Sequence, residues 1–143
     1  KRMTQRTSIK ITSEILSLQD CTNFVEDDSC GGIVTFVGTV RNSTQNKTVT
    51  LLDFSGYEPM ALKEMRKIAN IILEKFPIHK IAIHHAVGDL KIGAIPVIIA
   101  VSSAHRKAAF EACEFAIDTL KDTVPIWKKE HFEDGEVWVN SHP

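Results

Sequence analysis

The stretch that decides the fold is residues 81–121, IAIHHAVGDLKIGAIPVIIAVSSAHRKAAFEACEFAIDTLK. Its first half holds two apolar segments, residues 81–87 and 95–101, whose β-branched side chains predict strands. A loop around Gly88 and Gly93 is expected to join them, so one strand follows the other directly. Its second half has a single apolar stripe at helical spacing, which predicts a helix that runs to about Lys121. Strand-to-strand and strand-to-helix connections together favour the α+β class.

The sequence before this stretch adds further strands and helices. Ile9 and Ile11 predict a first strand, and Ser17 is typical of the N-cap of the helix that follows it. Residues 33–37 predict a buried strand, and residues 48–54 predict the strand that returns beside it. Apolar residues then recur with helical spacing and predict a second helix. No internal repeat or linker interrupts these elements.

The composition fits one globular domain that spans residues 1–143. Hydrophobic residues make up 43% and charged residues 24% of the chain, which is ordinary for a folded domain. The formal net charge of −1 argues against a general binder of nucleic acids. The three cysteines form no CxxC pair, and we interpret them as reduced thiols of a cytoplasmic protein. Neither a membrane-spanning run nor a signal peptide is indicated.

The segment Ser102-Ser103-Ala104-His105-Arg106 stands where the apolar strand passes into the periodic helix. Ser103 can cap that helix, and the free N–H groups of a helix N-terminus attract anions. Arg106 adds a guanidinium that suits phosphate or carboxylate. The alternative is an ordinary serine cap followed by two solvated side chains, and the spacing alone leaves both interpretations open.

Two lysines flank Pro125 at the other end of this helix. Lys121 lies in its last turn, and a bend at Pro125 can bring the amine of Lys128 towards it. Mutual repulsion and burial would each lower a lysine pKa towards a value useful for proton transfer, whereas the helix C-terminus favours a charged Lys121. The alternative is a set of exposed surface lysines, which is the rule for this residue type.

A third candidate is residues 38–42, GTVRN, at the end of a predicted strand. Gly38 allows a close approach of the backbone, and Arg41 can reach from the strand end into a cleft. An ordinary strand exit with a surface arginine is the alternative. A metal site is not predicted, because His84 and His85 are adjacent in a strand and point to opposite faces.

Four segments occur in the order and at the approximate spacing of one family. They are residues 32–42 (GIVTFVGTVRN), 57–61 (YEPMA), 101–106 (VSSAHR) and 116–130 (AIDTLKDTVPIWKKE). Over about residues 30–139 the chain resembles the catalytic (large) subunits of molybdopterin synthase. The resemblance implies an α/β-hammerhead-like mixed sheet with packed helices in a single domain.

The resemblance also implies a sulfurtransferase of molybdenum cofactor biosynthesis. In that family the sulfur comes from the C-terminal thiocarboxylate of a small ubiquitin-like subunit. It is transferred to cyclic pyranopterin monophosphate (precursor Z), which forms the dithiolene of molybdopterin. The implied assembly is a heterotetramer built on a homodimer of large subunits, with neither a cofactor nor a metal in the reaction.

Residue by residue, the resemblance implies catalytic roles for Lys121 and Lys128. Lys128 is assigned the direct chemical role, and Lys121 is assigned the orientation or protonation of intermediates. Phe36 is expected to line the channel for the partner's tail. The residues implied in substrate binding are Thr39, Val40, Arg41, His105, Arg106, Lys121, Lys128, Lys129 and Glu130.

Two other functions stay open on the sequence. A non-catalytic module that binds an anionic metabolite or a partner's tail would need positive charge but not two specific amines. A nucleic-acid binder on a ferredoxin-like sheet is disfavoured by the near-neutral charge and by the lack of paired aromatic residues on a strand. The chain also departs from the family's pattern at Ser55, Ala86 and Ala94-Ile95, which concerns loop and dimer contacts more than the lysines.

Overall fold

A computed structural model describes residues 5–142, so residues 1–4 and Pro143 of the expected domain lie outside the described residues. Within this part, nine strands form two sheets and three helices pack against them. The strands are Thr7–Thr12 (β1), Gly32–Gly38 (β2), Ser43–Thr44 (β3), Lys47–Gly56 (β4), Lys80–Ala86 (β5), Gly88–Lys91 (β6), Val97–Ser103 (β7), Ile126–Phe132 (β8) and Val137–Asn140 (β9). The helices are Leu18–Val25 (α1), Glu58–Lys75 (α2) and Arg106–Thr123 (α3). None of these helices is long and apolar enough to cross a membrane.

The first sheet has the strand order β1-β5-β7-β2. Strand β1 runs parallel to β5, whereas β5, β7 and β2 are antiparallel to one another in turn, so the sheet is mixed. Helix α1 covers one face, and helices α2 and α3 cover the other. The central strands β5 and β7 are therefore buried almost throughout, and their apolar side chains contribute to two separate cores.

The second sheet has the order β3-β4-β8-β9, and β6 also pairs with β4. Gln45 and Asn46 have φ angles of 48° and 66° and form the two-residue turn between β3 and β4. Positive φ at both central residues matches a type I′ hairpin turn. Strand β8 is paired on both sides, with Lys128 opposite Phe54 of β4 and opposite Asn140 of β9.

The predicted α+β class is confirmed, and so are several local elements. Ser17 is the N-cap residue of α1, and its hydroxyl accepts a hydrogen bond from the Asp20 N–H at 3.1 Å. The strand at residues 33–37 also forms, but the prediction that it is buried is wrong. It is an edge strand of the first sheet, and Ile33 is 41% exposed.

Two further expectations need correction. Residues 48–54 do not return beside residues 33–37, because β2 pairs with β7 and β4 belongs to the second sheet. Ser103 does not cap α3. It is the last residue of β7, its hydroxyl donates to the carbonyl of His105, and α3 begins at Arg106 with His105 as the N-cap residue.

Candidate active site

A cleft of about 520 Å³ opens between the two sheets. The first sheet contributes the ends of β2 and β5 and the start of β7. The second sheet contributes β3, β4 and β8, and α3 contributes its last two turns. Its apolar wall includes Phe36, Leu52, Phe54 and Leu120, so charged groups that reach into it are partly shielded from water.

The cleft brings together six of the residues assigned from the sequence, which are Phe36, Thr39, Arg41, Lys121, Lys128 and Glu130. Arg41 lies just after β2 and is exposed, Lys121 is exposed on α3, and Lys128 is half-buried on β8. The expected convergence of the lysine pair and Arg41 on one cleft is therefore observed. Their roles in chemistry and binding stay predictions.

The surroundings of Lys128 lower the pKa of its amine. Burial is the main cause of a pKa below the usual lysine value, and the positive charges of Lys121 and Arg41 lower it further. Glu130 acts in the opposite direction and raises the pKa. An amine with a lowered pKa gives up and regains its proton more readily near neutral pH, which suits a general acid or base.

Glu130 lies beside Lys128 and holds the surrounding strands. It is only 4% exposed, and its two carboxylate oxygens accept hydrogen bonds from different elements. One bond comes from the Thr44 hydroxyl at 2.6 Å and the other from the Asn140 side-chain amide at 3.2 Å. Because side chains two residues apart in a strand share a face, the carboxylate faces the same side of β8 as the amine. Glu130 therefore favours the charged form of Lys128.

Four residues assigned to substrate binding lie away from this cleft. Val40 is 3% exposed and belongs to the hydrophobic core. Lys129 is exposed and alternates with the inward-facing side chains of β8, so it faces the opposite side of the sheet. His105 and Arg106 lie at the N-terminal end of α3, and the rise of the helix separates them from Lys121 by about 22 Å.

His85 is a residue of the cleft that the sequence analysis missed. It lies opposite Val97 of β7, and Val97 in turn lies opposite Gly38 of β2. A Cβ atom at Gly38 would be 2.7 Å from Val97 Cγ1, so the nearest neighbour at this glycine is the side chain of Val97 rather than backbone. Alternation along the strand could have identified it. His84 points to α1, where its Nδ1 is 3.3 Å from Cys21 Sγ, so His85 must point to the opposite face, towards the cleft.

Acid is expected to destabilise the fold through His85. Burial lowers the pKa of His85 to about 4, whereas an unfolded histidine titrates near pH 6.5. The neutral ring is thus favoured in the folded chain. Its contribution is complete above about pH 6.5 and declines as the pH falls towards 4, by up to about 3 kcal/mol in the free energy of unfolding.

Urea unfolding at several pH values tests this expectation. His85→Gln should reduce the loss of stability below about pH 6.5, because the titrating ring is gone. The exposed His142 supplies the matched control variant, His142→Gln, which should follow the wild type. An unchanged pH dependence in His85→Gln would contradict the expectation.

The donor set of the cleft suits anions. Arg41, Lys121 and Lys128 present positive charges to one space, and such groups offset the repulsion between two bound negative charges. Across residues 5–142, no three His, Cys, Asp or Glu side chains lie close enough together to hold a metal ion. The cleft can therefore bring two anionic groups into contact beside an amine of lowered pKa.

Sequence comparisons find close relatives of this chain. A family model described as MoaE protein matches residues 11–123. A molybdopterin synthase catalytic subunit of Nostoc sp. is 44% identical over 135 residues, which cover 93% of this chain and 82% of that protein. The human protein of the same name is 46% identical over 130 residues, which cover 91% of this chain and 69% of that protein.

Solved structures show the same fold. Molybdopterin synthase from Staphylococcus aureus superposes with a TM-score of 0.88 at 39% identity, over 99% of this chain and 100% of that chain. A MoaE protein from Burkholderia ambifaria gives a TM-score of 0.81 at 34% identity, over 96% and 91% of the two chains. The chain belongs to the MoaE family, whose members include the molybdopterin synthase catalytic subunits of Nostoc and human.

Proposed function

We propose that this chain is the catalytic subunit of a molybdopterin synthase and works as a sulfurtransferase. It transfers two sulfur atoms, each from the C-terminal thiocarboxylate of a small ubiquitin-like protein, to precursor Z, and this forms the dithiolene of molybdopterin. The observation that carries the proposal is the convergence of Arg41, Lys121 and Lys128 on one cleft in a chain of this family. A cytoplasmic location belongs to the same proposal, with the three cysteines as free thiols.

The charges of the cleft match the two reactants. Precursor Z carries a phosphate and the sulfur donor is an anionic thiocarboxylate, so the two repel each other in water. Arg41 offers a planar guanidinium that can donate two parallel hydrogen bonds to a phosphate. Lys121 adds a second positive charge within the same space. Together these groups lower the cost of bringing both anions together.

Lys128 supplies the proton transfer in this proposal. The thiocarboxylate sulfur bonds to a substrate carbon as the carbon–oxygen bond breaks, and water then hydrolyses the resulting thioester and releases the carrier as a carboxylate. The departing oxygen needs a proton, because hydroxide is a poor leaving group. The half-buried amine of Lys128, with its lowered pKa, can donate that proton and later recover one. The carboxylate of Glu130 keeps a compensating negative charge nearby.

The tail of the partner enters beside Phe36 in the proposed complex. Phe36, Gly38 and Val97 line one side of the cleft, and the absent side chain at Gly38 lets Val97 pack close to that strand. The proposal places the thin Gly-Gly tail of the partner along this side of the cleft. A Helicobacter pylori structure with a TM-score of 0.72 and 23% identity supports the fold, and it is described as the complex of subunits 1 and 2 of molybdopterin-converting factor.

The proposed assembly is a heterotetramer with a homodimer of this chain at its centre. His105 and Arg106 lie too far from Lys121 to contact a ligand in the cleft of their own chain. Their assigned role in substrate binding therefore requires that they act at the cleft of a second copy. The homodimer would complete each cleft with the N-terminal end of the other copy's α3.

Reconstitution tests the proposed function. The chain is mixed with precursor Z and a ubiquitin-like carrier that ends in a thiocarboxylate, and dithiolene formation is followed. We expect conversion with this carrier and none with the same carrier ending in an ordinary carboxylate. Tight binding of precursor Z without conversion would instead favour the non-catalytic binding module.

A further inference from the structure

We infer that His85 is a substrate-binding residue of the cleft, whose Nε2 accepts a hydrogen bond from an N–H or O–H group on the heterocyclic part of the ligand. This inference deepens the proposed function and rests on it, because it adds a contact within the same site. It concerns the ring system of the substrate, whereas Arg41 and the two lysines address its charged groups.

Packing fixes the ring of His85 at the wall of the cleft. The residue is 1% exposed, and it lies near the end of β5 with Val97 as its neighbour on β7. Its ring meets the ring of Phe54 edge to face, with the centroids 5.4 Å apart at an angle of 70°. Both Phe54 and Val97 also line the cleft. A ligand in the cleft therefore meets an imidazole whose orientation is set before binding.

A backbone hydrogen bond determines which ring nitrogen carries the hydrogen. Nδ1 of His85 lies 2.7 Å from the carbonyl oxygen of Ala86. A carbonyl oxygen can only accept, so Nδ1 is the donor and Nε2 of the neutral ring keeps a lone pair. The side-chain hydrogen bonds of the described residues include none to this Nε2. Every fully buried side-chain nitrogen and oxygen among these residues has a partner, so Nε2 is not fully buried. Nε2 is therefore open to the cleft and available to a donor on the ligand.

The neutral ring adds an acceptor that the charged groups of the cleft do not offer. Arg41 and the charged forms of Lys121 and Lys128 only donate hydrogen bonds, and Glu130 is engaged by Thr44 and Asn140. Burial keeps the pKa of His85 at about 4, so the ring stays uncharged at neutral pH. A ligand with ring N–H groups and a phosphate, such as a pterin phosphate, matches both kinds of partner.

Two substitutions separate the functions of the two ring nitrogens. In His85→Asn the amide N–H group takes the place of Nδ1 and can keep the bond to Ala86, but the acceptor in the cleft is lost. In His85→Gln the longer amide places its oxygen near the position of Nε2, so the acceptor remains while the bond to Ala86 is given up. His142→Gln serves as the control variant, because His142 is exposed near the end of the described chain.

Calorimetric titration with precursor Z measures the effect on binding. We expect His85→Asn to raise the dissociation constant by about tenfold and His85→Gln to recover most of that loss. In the reconstituted reaction His85→Asn should raise KM more than it lowers kcat. The opposite order, with Asn close to the wild type and Gln impaired, would overturn the inference, because the ring would then serve only to bond Ala86.

The same measurements keep the two proposals distinct. If the wild-type complex converts precursor Z and neither variant changes its affinity, the role of His85 is wrong and the proposed function stands. If the wild-type complex fails to convert precursor Z, the proposed function is wrong. The order of affinities among the three proteins then still decides whether Nε2 contacts this ligand.

Discussion

Lys128→Ala is expected to slow dithiolene formation by at least about a hundredfold in the reconstituted reaction, which is the usual scale for loss of a general acid or base. The physical reason is the position of the amine. It is half-buried on a strand that is paired on both sides, its pKa is lowered mainly by burial, and Glu130 lies beside it. The rate under single-turnover conditions measures the effect without a contribution from product release.

Two comparison variants sharpen this result. Lys128→Arg keeps the positive charge but replaces the amine with a guanidinium that does not give up its proton, so we expect it to stay inactive. Lys91→Ala removes an exposed lysine from β6 of the same sheet and should have the wild-type rate. Gel filtration with the small subunit should show that the Lys128→Ala complex still forms. Full conversion of precursor Z by Lys128→Ala would contradict the assigned role.

A mixed dimer should recover activity that both of its parent variants lack. Arg106→Ala removes a charge-assisted contact and is expected to reduce the rate by about ten- to a hundredfold in the homodimer. In a dimer of one Arg106→Ala chain and one Lys128→Ala chain, one cleft carries both defects and the other carries neither. This follows only if each cleft is completed by the second copy. The purified mixed dimer should then show about half of the wild-type activity.

If Arg106 acts within its own chain, the mixed dimer is expected to have a different activity. If Arg106 served the cleft of its own chain, each cleft of the mixed dimer would carry one defect and no activity would return. Two affinity tags, one on each chain, allow the mixed dimer to be isolated and assayed against both homodimers. A mixed dimer as inactive as its parents would rule out the arrangement in which each cleft is completed by the second copy.

Local patterns in the sequence predicted the helices and strands better than they predicted which strands pair. The apolar periodicity of α3 and the β-branched residues of β5 and β7 depend only on near neighbours in the chain, and these elements form as expected. The pairing of β2 with β7 joins residues that are 59 to 71 positions apart, and the hairpin between β3 and β4 separates β2 from β4. Both strands satisfy the same local rules in either arrangement, so the sequence alone favoured the shorter connection.

In the cleft, too, residues close in sequence were placed correctly and residues far apart in sequence were not. The lysine pair could be placed because Pro125 lies between Lys121 and Lys128 and limits their separation. The order of the motifs along the chain does not show how far His105 lies from the lysines. Helix α3 lies between them and sets that distance at several helical turns. His85 was missed because the adjacent pair His84 and His85 was considered only as a possible metal site. The cleft exists only once β5 and β7 lie beside the second sheet.

Lys128 lies in a strand and Arg41 in a connecting segment, and this difference affects how the cleft responds to a ligand. Lys128 lies between two hydrogen-bonded strands, so most of its backbone freedom is lost when the chain folds. Arg41 lies outside any strand and is exposed, so its side chain is immobilised only on binding, at an entropic cost of about 0.5–1.5 kcal/mol. In the proposed reaction a preorganised acid thus works beside an adaptable guanidinium. We expect such a cleft to follow a substrate whose shape changes after the first sulfur atom is added, while the proton donor stays in place.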